Sequence, residues 1–507
     1  MLIGEKKLQT SLANPVLWGV FILYVILLSF TIAHHELWSD EIHSWNIAKG
    51  SKSFGDLIWN TRYEGHPPFW YCILWVISKF THDLAYVQLV HGIFAGLIVF
   101  IVLFFSPFPV ITRILIPFGY YFLYEYAVLE RNYAIAVLMV FCICLIIHKD
   151  FKYKFLLYYL LLFLMSYTHL IALLLAASVH LYFLFLQSEH KKKKIELALH
   201  ILSGGLIFLS SLYFIFPPPD SEINVHFWMN RWNVHQITAV IQLPLRAFIP
   251  VPAWWNDHFW NTEFLVEARN KYKLLKFINP LILLMLLGVV FFILRKNKKS
   301  LVLFITNIFL SFIISITLFA LATARYSGFI FIGFIVAYWL SCYETRENGR
   351  NKWLVNILLI LQIIGGIFAT VKDIRLPFSN AYKVNELLKE IPKNEKAVTD
   401  YWALNAISAF ADKPFYCIDM QKEKSFILWD KDLMDSRTKT NCYYEGVNNF
   451  FLRERIRKVY MITTASLENL FKVDSKLSTS FQVTLVDKRE GAIEKGSNFY
   501  LYQISAY

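Results

Sequence analysis

Residues 149–194 read KDFKYKFLLYYLLLFLMSYTHLIALLLAASVHLYFLFLQSEHKKKK. Two apolar runs, at about 153–168 and 170–187, are joined by the turn at Thr168-His169. Basic residues bracket the pair, Lys149 to Lys154 before it and Lys191 to Lys194 after it. A membrane span needs ~20 mostly apolar residues, and Lys and Arg gather in the loops that stay in the cytoplasm. The stretch therefore reads as two spans with both basic ends inside and the Thr168 turn outside.

The same pattern continues in both directions. Further spans are expected at about 15–33, 84–106, 114–129, 131–148, 196–216, 277–294, 300–321, 326–343 and 352–371, for about eleven in all. Alternation from one side to the other places Arg113, the Lys149 loop, the Lys191 run, Arg295 to Lys299 and Arg346 to Lys352 on one face, the cytoplasmic one. Lys6 and Lys7 precede the first run, which reads as a permanent signal anchor with its amino end inside. The extracytoplasmic face then receives an outer loop over 34–83, turns near Glu130 and Thr168, a long loop over 217–276, and the tail. Pro67 to Phe80 is apolar but too short to span upright. It is expected to lie in the outer interface, with Pro67 and Pro68 setting its first turn.

Composition agrees. Apolar residues make up 57% of the 507 and charged ones 17%, with a mean hydropathy of +0.45; soluble domains run near ~25% charged. Disorder, a coiled coil, a disulfide scaffold and a simple soluble enzyme are excluded. The net charge of +13 sits in clusters abutting apolar runs, so it reports membrane sidedness, and no nucleic-acid partner is expected. Of the six cysteines, Cys72, Cys142, Cys144 and Cys342 lie in apolar runs. Cys417 and Cys442 lie in the polar tail and could form a disulfide if that tail is extracytoplasmic. In the tail, Val384, Leu387, Leu388 and Ile391 fall at helical spacing, while Val459–Ile462, Phe481–Val486 and Phe499–Ile504 are β-rich. The expected fold is a polytopic all-α membrane domain over 1–375 followed by a small extracytoplasmic α/β domain over 376–507.

The first outer loop holds His34-His35-Glu36-Leu37-Trp38-Ser39-Asp40-Glu41-Ile42-His43 and then Glu64-Gly65-His66-Pro67-Pro68. Adjacent carboxylates on a helix point ~100° apart, so Asp40 and Glu41 cannot do the same job. One can face a reacting hydroxyl as general base while the other orients or caps the loop; a solvated acidic turn with Asp40 as a helix cap is the simpler alternative. The histidines, with Asp40 and Glu64, could bind a divalent metal such as Mg²⁺ or Mn²⁺, for which Asp40 and His66 are the candidate ligands. On the same face stand Glu130-Arg131-Asn132-Tyr133, Thr168-His169 and Arg325-Tyr326. Ionisable groups at a bundle's edge are costly unless paired or functional. Two arginines and several carboxylates on one face suit a phosphate-bearing, partly lipidic substrate. The long loop adds Trp228, Trp232, Trp254, Trp255 and Trp260, whose rings can anchor the interface or cover a sugar.

At Asp40-Glu41, Glu64-Gly65-His66-Pro67-Pro68, Arg131-x-Tyr133 and Arg325-Tyr326 the chain resembles the GT-C superfamily of polyprenyl-phosphate-sugar-dependent glycosyltransferases, in the branch of protein O-mannosyltransferases and the bacterial aminoarabinose transferase of lipid A. The resemblance covers the span layout, the acidic first outer loop, the His-Pro-Pro motif and the soluble tail. It implies inverting transfer of a monosaccharide from a polyprenyl-phosphate donor to a lipid, glycan or protein acceptor on the outer face. By the resemblance Asp40 is the catalytic base and Glu41 its support. Glu130 takes the place of the second acid, although Arg131 beside it departs from the pattern. Arg325, then Arg131, with Tyr133 and Tyr326, hold the donor phosphate and lipid; His66, His169, Trp254 and Trp255 line the substrate. The rival readings are a transporter or flippase of lipid-linked sugars and a non-catalytic scaffold. Against the transporter, the expected spans lack paired Gly/Pro-broken helices with midplane charges.

Overall fold

The computed structural model describes residues 10–189, 194–221, 240–272, 274–317, 323–344, 352–438 and 442–507; Trp228, Trp232 and Lys191 to Lys193 lie outside the described residues. The chain forms two compact units. The first, helical, takes in Met1–Ala33, Val87–Phe216 and Phe227–Lys372; the second, built on a sheet, takes in His34–Tyr86, Pro217–His226 and Asp373–Tyr507.

Among the described residues eight helices are long and apolar enough to cross a membrane: Pro15–His34, Ala85–Phe105, Leu170–Glu189, Lys194–Ile215, Leu275–Leu294, Lys298–Thr317, Ala324–Glu344 and Lys352–Arg375. This is a multi-pass membrane protein. Leu170–Glu189 and Ala324–Glu344 are the most enclosed. Others leave large apolar side chains outward, such as Ile22, Ile26, Leu206, Leu209, Leu281 and Leu284, which an apolar solvent tolerates and water does not.

Three of the eleven expected spans take other forms. The runs at 131–148 and 153–168 become helices of only 14 and 13 residues, Tyr133–Ile146 and Lys154–Ser166. The run at 114–129 is not one helix. It breaks into Val110–Leu115, a 3₁₀ turn Ile116–Phe118 and a π-helical turn Tyr121–Glu125. Pro117 has no N–H to donate and disfavours a continuous helix. The interrupted backbone finds other partners: the Gly119 carbonyl accepts from Phe122 N at 3.0 Å and Leu123 N at 2.8 Å, and the Phe122 carbonyl accepts from the Tyr24 hydroxyl at 2.7 Å. The helix Lys352–Arg375 approaches this segment through Gly365 and Gly366. A Cβ at Gly365 would lie 2.3 Å from the Pro250 carbonyl oxygen, and one at Gly366 2.8 Å from that of Phe118.

The second unit holds a six-stranded sheet of β1 (Ala397–Thr399), β2 (Phe415–Cys417), β3 (Lys422–Lys424), β4 (Lys458–Thr463), β5 (Phe481–Arg489) and β6 (Phe499–Ala506), in the order β3-β2-β1-β4-β6-β5. β1 runs parallel to β2 and β4; the remaining pairings are antiparallel. The three β-rich runs of the tail, each bounded by polar residues, thus become β4, β5 and β6. Val398, Ile418, Val447, Val459, Met461, Tyr502 and Ile504 form the core. The segment 34–86 belongs to this unit: Asn46 Nδ2 donates to the Asn405 carbonyl at 2.8 Å, and Lys49 pairs with Asp412 at 2.7 Å.

From β1 the chain passes to β2 through the helix Tyr401–Ala411, and after β3 it returns to β4 on the other side of β1. At the carboxyl ends of these strands two aspartates are buried together. Asp400 Oδ1 caps the helix by accepting from Ala403 N at 2.9 Å, and its Oδ2 accepts from the hydroxyls of Thr463 and Tyr443. Asp419 Oδ2 accepts from Tyr401 N at 2.8 Å. Burial raises both carboxyls above the ordinary aspartate range, and the charge of Asp400 raises Asp419 further. Cys417 and Cys442 are free thiols near the same carboxylate. Burial pushes Cys442 up to about 12 and Cys417 well above its usual value.

Two outcomes follow from this packing. Gly365→Ala, which drives a methyl into a carbonyl, should cost about 1–3 kcal/mol and lower the unfolding temperature of the detergent-solubilised protein. Gly205→Ala, with nothing within 4 Å of the new carbon, should not. For the aspartate pair, a folded-state pKa above the unfolded one means the folded state keeps a proton the unfolded state releases. Stability then falls as pH rises from the ordinary aspartate range through neutrality. Asp419→Asn keeps the acceptor for Tyr401 N and removes the second charge, so thermal unfolding followed from about pH 5 to about pH 8 should lose part of that slope.

Candidate functional site

In the helical unit the π-helical turn Tyr121–Glu125 carries Glu125 into the interior, 1% exposed. Its Oε2 accepts from the Tyr120 hydroxyl at 2.8 Å and from the Trp260 indole N–H at 3.2 Å. A cation stands over the face of that indole: the Arg325 guanidinium lies 5.5 Å from the Trp260 ring and 5.1 Å from the Tyr326 ring. The Tyr126 hydroxyl donates to the Arg325 carbonyl at 2.7 Å. Arg325 stands at the start of the helix Ala324–Glu344, so carboxylate, indole and guanidinium form a fixed series at the end of a long apolar helix.

Tyr133, His169 and Tyr326 meet there as a cluster of rings. The Tyr133 and His169 centroids are 5.2 Å apart, His169 and Tyr326 5.5 Å, and Tyr133 and Tyr326 6.3 Å. Asn132 Nδ2 donates to the Thr168 carbonyl at 2.8 Å and ties the two short turns together. His169 Nδ1 accepts from Ile171 N at 3.1 Å, capping the helix Leu170–Glu189, which leaves the proton of a neutral ring on Nε2. Glu130 and Arg131, buried, occupy the turn just before Tyr133. The structure thus brings Tyr133, His169, Arg325 and Tyr326 together, and joins to them Glu125 and Trp260. Trp254 and Trp255 do not join this cluster through any described ring contact: half-exposed, they pack edge to face on each other at 4.8 Å, and Trp254 on Phe264. Sequence reading passed over Glu125 because it falls within a run taken as a span; a carboxylate inside such a run is itself the signal that could have found it.

In the sheet unit Asp40 and Glu41 open the helix Ser39–Gly50 and diverge as adjacent helical positions must. Glu41 turns back: its Oε2 accepts from Trp38 N at 2.9 Å and stands 3.5 Å from His35 Nε2. The capping carboxylate is therefore Glu41, and Asp40, half-buried, is not the cap. His35 Nδ1 meets Asp373 Oδ2 at 2.9 Å. Burial of the ring opposes its charge, but Asp373 and Glu41 outweigh burial and hold His35 well above the usual histidine range. A second buried histidine, His43, joins Glu64 at 2.8 Å through Nε2 and the Asn405 amide at 3.0 Å through Nδ1. His66 follows Gly65, whose φ of 64° makes the left-handed turn into Pro67-Pro68. The helix Phe69–Ser78 begins directly after Pro68, where the expected short apolar helix stood. Among the described residues, no group of three or more His, Cys, Asp or Glu with ligand atoms close enough to share an ion includes Asp40 or His66.

Asp373→Ala should leave a buried imidazolium short of one partner and cost about 3 kcal/mol, read as a drop in unfolding temperature. Asp373→Asn, which keeps a hydrogen-bonding group but not the charge, should cost less. Since a raised histidine pKa contributes stability that is lost as pH climbs from the unfolded to the folded value, that loss should be smaller and end at a lower pH in Asp373→Asn than in the wild type.

The sequence matches no protein-family model, and no curated protein matches it. Among solved structures the chain is similar to the crystal structure of ArnT from Cupriavidus metallidurans in the apo state. That similarity covers 96% of this chain and 98% of that one, at 11% sequence identity and a TM-score of 0.49.

Proposed function

We propose that this protein is a membrane glycosyltransferase that moves a monosaccharide from a polyprenyl-phosphate donor to a lipid, glycan or protein acceptor on the extracytoplasmic face, with inversion. The observation that carries the reading is Arg325, a guanidinium held against the Trp260 and Tyr326 rings at the end of an apolar helix, with the Trp260 indole donating to Glu125. A planar fork fixed against rings is suited to the two oxygens of a phosphate, and its position at a helix end suits a headgroup whose tail lies in lipid.

The chemistry asks for two events. The acceptor oxygen bonds to the anomeric carbon as its proton passes to Asp40, and the bond from that carbon to the phosphate oxygen breaks, with the electron pair leaving on the polyprenyl phosphate. Asp40 supplies the base and Arg325 stabilises the charge that develops on the leaving group. Glu41 holds the first turn of the Asp40 helix through Trp38 N. Arg131 and Glu130 assist at the donor, with Tyr133, His169 and Tyr326 against its lipid and sugar portions.

One finding speaks for the transporter reading: the break between Val110 and Glu125 is an interrupted helix with a buried carboxylate, the kind of element transporters use for substrate sites. The two readings part on whether a new glycosidic bond forms.

The test is transfer of radiolabelled sugar from a panel of polyprenyl-phosphate monosaccharides into membrane fractions. Asp40→Asn at normal expression should lose transfer by about 10²-fold or more. Arg325→Ala should lose both donor affinity and rate, with Arg325→Lys recovering only part. Full transfer in Asp40→Asn would sink the assignment, and label that crosses the membrane without forming a new bond would favour translocation.

A further inference from the structure

We infer that the helical unit carries a second anion site, for a phosphate-bearing group, at the opposite end of its helices from Arg325. A cavity of about 340 Å³ is lined by Thr10, Ser11, Asn14, Pro107–Val110, Leu17, Arg113 and Lys352. These residues precede the helix Pro15–His34, follow Ala85–Phe105 and begin Lys352–Arg375, so one end of the bundle contributes them all. It is the end the basic loops assign to the cytoplasm.

Arg113 is the centre of the case. Its residue is 4% exposed, yet its described partners are all neutral. Nε donates to the Phe108 carbonyl at 2.8 Å, and Nη1 to Ser11 Oγ at 2.9 Å and to the Leu103 carbonyl at 3.1 Å. These bonds use Nε and Nη1 and fix the plane of the fork, while Nη2 makes no described hydrogen bond. Among the described residues no carboxylate pairs with Arg113 or with Lys352. A guanidinium withdrawn from water without a counter-charge is expensive, and positioning its plane by three neutral acceptors is what a built anion site requires. Lys352 adds a second cation, and Asn14, whose Oδ1 is engaged by Val16 N at 2.9 Å, keeps its amide N–H groups to donate.

Two cations and short donors lining a cavity together with Leu17, Phe108 and Val110 fit a phosphate attached to something apolar. Val110 and Ile111 are exposed beside it, 44% and 64%, which gives acyl chains a surface to follow. Basic pockets between spans on the cytoplasmic side suit anionic headgroups. Free phosphate shares the chemistry of the head but not of the tail.

The experiment titrates the full-length, detergent-purified protein with dioctanoyl phosphatidylglycerol, dioctanoyl phosphatidylcholine and inorganic phosphate, following the unfolding temperature. Phosphatidylglycerol should stabilise saturably and phosphatidylcholine should not. Lys352→Gln should weaken the apparent affinity about tenfold, the worth of one charge-assisted contact, and Arg113→Lys, which keeps the charge but loses the fork, should weaken it as well. Saturable stabilisation by inorganic phosphate equal to that by phosphatidylglycerol, with the same dependence on Lys352, would assign the site to free phosphate. Equal response to both lipids, no response to either anion, or unchanged affinity in both variants overturns the site. The readout is binding, so it stands or falls separately from sugar transfer.

Discussion

A break in a helix at membrane depth exposes backbone groups that no water can satisfy, and much of the helical unit is arranged around one such break, between Val110 and Glu125. Tyr24 reaches from the first helix to take the Phe122 carbonyl, and Gln362 from the last to donate to the Ala247 carbonyl at 2.7 Å. Gly365 and Gly366 let the last helix come against backbone where any side chain would collide. The irregular segment is tolerated because neighbours enclose it, and enclosure is also what gives the Glu125 carboxylate its two fixed donors.

Charge placement obeys the same rule with different answers. Glu125 accepts from the Trp260 indole, whose ring stands against the Arg325 guanidinium. His35 is flanked by two carboxylates and stays charged, whereas Asp400 and Asp419 have hydroxyls and backbone amides as partners and are driven toward the protonated form. Among the described residues, Arg113 has neutral acceptors alone.

The spans were legible because ~20 apolar residues between basic loops admit few other folds. The tail's strands were legible because β-branched and aromatic runs such as Phe499–Ile504 stood between polar neighbours. The break at Pro117 was not, since every residue from Ile114 to Leu123 is apolar, aromatic, Pro or Gly and hydropathy sums do not register a missing N–H. Nor could sequence choose among the tryptophans of the long loop: Trp254, Trp255 and Trp260 are alike in composition, and only the fold sets Trp260 against Arg325. For the acidic pair, helical geometry said that Asp40 and Glu41 must differ but not which of them turns back to Trp38.

The two cysteines of the sheet unit have a further consequence. A thiol must ionise before it can attack a disulfide or an oxidant, and beside the Asp419 carboxylate, under burial, Cys417 and Cys442 resist ionisation. The unit is held by its core and its sheet instead. Since the thiolate is the form that oxidants attack, Cys417 and Cys442 are slow to climb the oxidation ladder while the unit stays folded.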